Sequence, residues 1–358
     1  MRGVSETRRW GWLLATVAML GVGCGKPDVP EEQAPPVIAP VNTWTWVDVP
    51  TSTCDEGTPT GLGANLNGSK NLVIFFQGGG ACWDSRTCLE QNVSTHGPFT
   101  QAQFNLAVKS LGAGSLFDRQ LAGNPYKDWN HFYIPYCTGD LHIGNADPVY
   151  TSGGVSVTFH HKGRVNAEAF LARIAATVPE PEQVLVTGAS AGGYGAILNY
   201  ALVRDTFPKA RVYLVDDSGP MFKSGALRAE LRAAWSQAWK YQPVFDAIDP
   251  AIKDDFSAIH PALSRRYPRD RMALLSSTQD QVIRTYLQLT PDAFQTALFD
   301  LSSTVLQPLP NTRSFIISGQ SHTMLGSPGS YRSQGVSLFE WLQQMETADD
   351  ATWKSLRP

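Results

Sequence analysis

From about residue 44 to residue 350 short apolar runs alternate with amphipathic stretches, and the two spacings separate strand from helix. The runs NLVIFF (71–76), HFYIPY (131–136), VSVTF (155–159), QVLVT (183–187), VYLV (212–215), MALLS (272–276) and SFIIS (314–318) are rich in β-branched and aromatic residues. They predict strands. Between 155 and 183, Ala167, Phe170, Leu171, Ile174 and Val178 recur at helical spacing. Further helices are predicted after Ser190, across 224–241, around 292–306 and across 335–346. Strands separated by helices predict an α/β fold with a mostly parallel sheet covered on both faces. No Pro/Gly break divides 44–350. The least regular stretch, 219–270, is expected to form a small cap beside the end of the sheet.

Composition adds bounds. The 358 residues, 42% of them hydrophobic, can bury a large core. A net charge of -3 and the absence of a basic run beyond the N-terminus give no electrostatic case for nucleic acid. No metal-spaced Cys/His cluster appears, and neither metal nor cofactor is expected. At the start, Arg2, Arg8 and Arg9 precede WGWLLATVAMLGVGC, an apolar run too short for a comfortable membrane span. This is the layout of a secretory signal peptide over 1–23, with Cys24 as a lipidation site. Gly21 stands where a lipobox usually has leucine, with Leu20 one place early. The Pro-rich segment 24–43 predicts a tether. The chain is therefore expected to be exported to the periplasm or cell surface, touching membrane only through a lipid anchor, and to act as a monomer. Removing Cys24 leaves Cys54, Cys82, Cys88 and Cys137, which allow three pairings. Cys82 and Cys88 bracket the shortest loop, and Cys54 would then join Cys137.

The chemistry centres on VLVTGASAGGYGA (184–196). Here a strand runs into a helix through G-x-S-x-G, with Gly188 and Gly192 on either side of Ser190. Small neighbours are needed where a strained turn lifts a serine above the sheet. A serine requires a base, and the base an orienting acid. His322, in SFIISGQSHTML, follows a late strand and fits the base. Asp280, after MALLSSTQ, is the favoured acid. Asp216 and Asp217, after VYLV, are the alternative, and Asp217 is expected to shape a turn. NLVIFFQGGGACW runs a strand into Gly78, Gly79 and Gly80, where backbone amides could meet an oxyanion together with the amide of Ala191. His142 and Asp140 either line the cleft or structure their loop. Trp235 and Trp239 read as core or cap packing residues ahead of sugar-stacking ones, and His160 and His161 as a strand end.

The segments FFQGGGACW, YIPYCTGDLHIG, GASAGGYGA, DSGP and SHTM together resemble the pectin acetylesterase and Notum carboxylesterase family, over most of 50–345. The resemblance implies an α/β-hydrolase-like carboxylesterase without metal. It assigns the nucleophile to Ser190, the acid to Asp280, the base to His322 and the oxyanion donors to Gly79, Gly80 and Ala191. Acetyl esters of polysaccharides are the substrates it implies first. Longer acyl esters are the runner-up, ahead of a serine peptidase or a non-catalytic carbohydrate-binding relative. At the third position of the glycine loop the family carries tryptophan where this chain has Gly80, a departure that bears on acyl-chain preference.

Overall fold

The computed structural model describes Met1, Gly3 and residues 34–358 except 348 and 350. The rest of the expected signal peptide, Cys24 and the tether up to residue 33 lie outside the described residues. Ten strands matter below: β1 (Thr45–Val49), β2 (Thr60–Asn65), β3 (Asn71–Phe76), β4 (Asn130–Ile134), β5 (Val149–Ser152), β6 (Val155–Thr158), β7 (Gln183–Ala189), β8 (Arg211–Asp217), β9 (Arg271–Ser277) and β10 (Thr312–Ile317). Eight form one sheet in the order β1-β2-β4-β3-β7-β8-β9-β10. Everything from β4 to β10 is parallel, while β1 and β2 are antiparallel at one edge.

Helices cover both faces. They are α1 (Gln101–Ser110), α2 (Gly163–Thr177), α3 (Ala191–Leu198), α4 (Tyr200–Thr206), α5 (Ala229–Trp239), α6 (Gln242–Ile248), α7 (Ile259–Arg266), α8 (Gln281–Leu287), α9 (Pro291–Asp300) and α10 (Leu338–Thr347). Alternation along each strand divides the core in two. Leu72, Ile74, Val184, Val186, Val212 and Leu214 pack towards α2–α5. Val73, Phe75, Leu185, Tyr213 and Val215 face the side of α1 and α10. That is why the central strands read as unbroken apolar runs: a parallel strand between two helix layers has no wet face.

Three expectations change. VSVTF does not join the sheet: β6 pairs only with β5, and Val155 and Val157 remain 64% and 38% exposed. Alternation identifies a strand but not the surface that receives it. Conversely, β1 and β2 escape the apolar pattern: TWVDV in β1 is mostly half-buried, and TGLGAN in β2 is fully buried yet glycine-rich. A Cβ on Gly63 would lie 2.1 Å from the Phe104 ring, so α1 packs directly on strand backbone. The tether also ends earlier than expected. Val37 is buried and its N–H donates to Thr177 Oγ1 at 2.8 Å, which brings the packed body back before residue 44. The region 219–270 is helical, and Leu231, Trp235, Trp239, Phe245 and Phe256 join the α2–α5 core.

Both cysteine pairs form, Cys54–Cys137 and Cys82–Cys88. Such cross-links persist in oxidising compartments and fit an exported protein. Among the described residues no helix is long and apolar enough to cross a membrane.

Candidate active site

The chain leaves β3 for β4 on one side of the sheet and returns with β7 on the other. The carboxyl ends of β3 and β7 therefore flank a topological switch point, where open α/β sheets leave a crevice. Two glycine-rich turns meet there. Ser190 sits between β7 and α3 at φ 61° and ψ -124°, a conformation costly for any residue with a Cβ. Its neighbours have no room for side chains. A Cβ on Gly188 would fall 2.2 Å from Gly192 O, and one on Gly192 only 1.9 Å from Phe76 O. The Ser190 N–H donates to Asp217 O at 2.7 Å, fixing the turn to the end of β8. Ala191 opens α3, so its amide has no acceptor within the helix.

The loop after β3 runs alongside. A Cβ on Gly78 would lie 3.0 Å from Ser190 Cβ, a contact that sequence gave no reason to single out among the three glycines. Gly80 and Ala191 line the same small cavity as Ser190, while Gly79 stands one residue back against Thr95 and Tyr136. At Gly80, φ is +78° and the Tyr286 hydroxyl occupies the space where a Cβ would point. The backbone carbonyl of Val93 and the Tyr286 hydroxyl thus stand where a side chain at this position would go.

The glycine loop is braced by TGDLHIG. His142 Nε2 lies 2.8 Å from Gln77 O, and burial pushes its imidazole down to about 4, so the neutral ring donates through Nε2. Asp140 is fully buried and accepts from Thr138 Oγ1 and from the amides of His142, Gly144 and Gly163 at 2.7–3.1 Å. Those bonds hold Leu141 and His142 in consecutive left-handed conformations. Asp140 and His142 are therefore loop supports, and Leu141 is the residue that reaches the cavity. His160 and His161 end the β5–β6 hairpin segment. His161 is buried, with its ring between Tyr150 Oη at 3.0 Å and Thr138 O at 2.7 Å.

On the loops after β9 and β10, Asp280 meets His322. The imidazole Nδ1 lies 2.8 Å from Asp280 Oδ2 and 3.0 Å from Oδ1. Asp280 is buried and also caps α8, with Oδ1 accepting the amides of Val282 and Ile283 at 2.9 and 3.0 Å. Asp217 takes a different part. Its Oδ2 accepts the amides of Met324 at 2.6 Å and Leu325 at 2.8 Å, and the neighbouring Ser218 Oγ accepts that of Thr323 at 3.2 Å. One aspartate thus holds the turn of Ser190 through its carbonyl and the loop of His322 through its carboxylate. Burial raises that carboxyl to about 6 against the pull of the two amides. The second aspartate, Asp216, accepts from Gly219 N and is buried far from its ordinary protonation range. Among the described residues, Ser190 Oγ and His322 share no hydrogen bond.

The cavity beside Ser190 holds about 30 Å³ and is walled by Leu141, Tyr194, Trp235, Ile283 and Leu287. A larger, open groove of about 680 Å³ lies beyond Tyr286, with Trp83, Arg86 and Arg228 in its lining.

The family model described as Pectinacetylesterase matches residues 42–259, which includes the glycine loop and Ser190 but ends before Asp280 and His322. Pectin acetylesterase 11 of Arabidopsis thaliana is 27% identical over 161 residues, 44% of this chain and 38% of that protein. The palmitoleoyl-protein carboxylesterase NOTUM of Schmidtea mediterranea is 30% identical over 155 residues, 41% of this chain and 27% of its own length. The chain thus spans well under half of the curated relatives it matches. Among solved structures, the Wnt deacylase Notum from Drosophila superposes with a TM-score of 0.63 at 18% identity, covering 87% of this chain and 94% of that one. This last likeness concerns the fold.

Proposed function

Because this chain belongs to the pectinacetylesterase family, we propose that it is a carboxylic ester hydrolase with Ser190 as nucleophile, His322 as base and Asp280 as the orienting acid. Ser190 Oγ attacks the ester carbonyl while His322 Nε2 takes the hydroxyl proton. The tetrahedral oxyanion is met by the amides of Gly79, Gly80 and Ala191. His322 then returns the proton to the departing alcohol oxygen, leaving an acyl-serine. Water repeats the sequence: its proton goes to His322, its oxygen to the carbonyl carbon, and the acid leaves as Ser190 regains its proton. Hydrogen bonds of this kind tighten when substrate binds, which covers the open gap between Ser190 and His322.

One observation carries this reading: a serine held at positive φ on a strand–helix turn, which Asp217 ties to the loop of an imidazole already paired through Nδ1 with a buried carboxylate. The Nδ1 bond leaves Nε2 as the free nitrogen, the tautomer a general base requires. Ser190→Ala tests it. The variant should fold, yet lose both p-nitrophenyl acetate hydrolysis and covalent labelling by a fluorophosphonate. A folded variant with full activity would end the proposal.

Acetyl esters of polysaccharides are the proposed substrates, because the cavity beside Ser190 is small. The relatives' names also include a palmitoleoyl esterase, so a panel of acetylated polysaccharides and graded acyl esters separates the two classes. Export and lipid attachment through Cys24 belong to the same reading, supported by the basic, apolar and Pro-rich order of the first residues and by the two disulfides. Radiolabelled palmitate should enter the wild type and not Cys24→Ala.

A further inference from the structure

We propose that Trp235 is the acyl-length stop of this site: its indole fills the space a longer acyl chain would enter and restricts the ester to short acyl groups such as acetyl. The inference rests on Ser190 being an esterase nucleophile. The cavity beside Ser190 offers about 30 Å³, while one water-sized group needs roughly 10–15 Å³ on this measure. A carbonyl and a methyl fit; an alkyl chain does not.

Trp235 is placed to set that limit. It is 4% exposed and stacks on Trp239, with centroids 5.1 Å apart and planes at 19°. Trp83 packs edge-on against it at 5.9 Å. Trp239 is tied down in turn, its Nε1 donating to Cys82 O at 2.8 Å beside the Cys82–Cys88 disulfide. Trp235 Nε1 itself has no partner among the described residues, so packing alone holds the ring.

An open groove lies beside the same helix. Leu231 and Ala234, on the same helix α5, line the groove of about 680 Å³, as does Trp83. Tyr286 lines both the groove and the small cavity. Tyr286 therefore stands between a compartment the size of an acetyl group and one large enough for much more, and Trp235, which lines only the small one, packs against the groove residue Trp83. Shortening Trp235 should join the two spaces from the acyl side.

The test is the chain-length profile of kcat/KM on p-nitrophenyl acetate, butyrate and octanoate. The wild type should lose at least about tenfold from acetate to octanoate, since one methylene in an apolar pocket commonly changes kcat/KM by 10–200-fold. Trp235→Ala and Trp235→Leu should raise the octanoate-to-acetate ratio by about tenfold or more. Folding is checked by circular dichroism and by labelling with a small fluorophosphonate. Folded, labelled variants with an unchanged ratio overturn the proposal, and so does a wild type that cleaves octanoate as well as acetate. If neither variant folds, Trp235→Phe, which keeps a ring in the stack, must extend the accepted chain to butyrate or the proposal fails. A wild type that cleaves no ester and takes no label would instead remove the esterase reading itself.

Discussion

Asp280 and Asp217 both touch the loop that carries His322, but through different groups. Asp280 offers its carboxylate to the imidazole, and Asp217 offers its own to the backbone two and three residues further on. Replacing each by asparagine should therefore separate chemistry from support. Asp280→Asn keeps the cap on α8, because asparagine caps as well as aspartate, but turns an N–H towards His322. Hydrolysis should fall by about 10⁴, the scale known for a triad aspartate replaced in this way. Asp217→Asn weakens acceptors for two buried amides and should cost about 1–3 kcal/mol of stability, with a much smaller loss of rate. A crippled Asp217→Asn beside an active Asp280→Asn would reverse the roles. The pH dependence distinguishes them again. Between its ordinary value of 3.8 and about 6, Asp217 keeps in the folded protein a proton that the unfolded chain has released. Its contribution to stability must fall as pH rises through that window and level off above it. Asp217→Asn removes this slope, so the difference in unfolding free energy between wild type and variant should change from pH 4 to pH 6. A difference that stays constant would contradict it.

At the scale of elements, the segment from β7 through Ser190 to α3 was the most legible part of the chain, because one short stretch contains both the apolar strand and the small residues of the turn. Its glycines are steric rather than flexible. In an ordinary helix interior, glycine to alanine stabilises by up to about 1 kcal/mol. Gly192→Ala should do the opposite, since the new Cβ would meet Phe76 O, a backbone atom of β3 that cannot swing away. Overpacking of this kind costs about 1–3 kcal/mol. Thermal unfolding checks the sign: a higher melting temperature for Gly192→Ala would refute the account. Of the elements that stayed illegible, β2 fails for the related reason that its packing partners meet backbone. The rings of Phe104 and Trp46 lie where side chains on Gly63 and Gly61 would be. A pattern of side-chain polarity carries no trace of that.

Across the whole molecule the two disulfides do unequal work. Cys54–Cys137 spans 83 residues and ties the β1–β2 connection to the end of β4, whereas Cys82–Cys88 spans 6. On loop-closure entropy the long bridge is worth about 4.5 kcal/mol and the short one about 2. Replacing Cys54 and Cys137 by serine should therefore lower the denaturant midpoint far more than the same change at Cys82 and Cys88. Equal losses would show that the short bridge serves mainly through the native structure, where it adjoins Trp239 and the wall of the groove.

Sequence alone determined what depends on neighbours along the chain. The parallel α/β order, Ser190 in its turn, the glycine loop after β3 and the Cys82–Cys88 pair follow from local spacing, because strand period, turn sterics and short-loop closure act over a few residues; Cys54–Cys137 was only the pair left over. His322 and Asp280 were legible at one remove, since in such a sheet the order of strands dictates which loops lie together. Only the tertiary structure decided which carboxylate turns to the imidazole, that Asp217 holds the amide of Met324, 107 residues further on, and that Val93 and Tyr286 fill the space facing Gly80. It alone sized the cavity and set Trp235 across its end. Those outcomes depend on which side chain reaches a shared space first, and residues from β3, β8, α5 and α8 compete for it without any mark of that competition in their own segments.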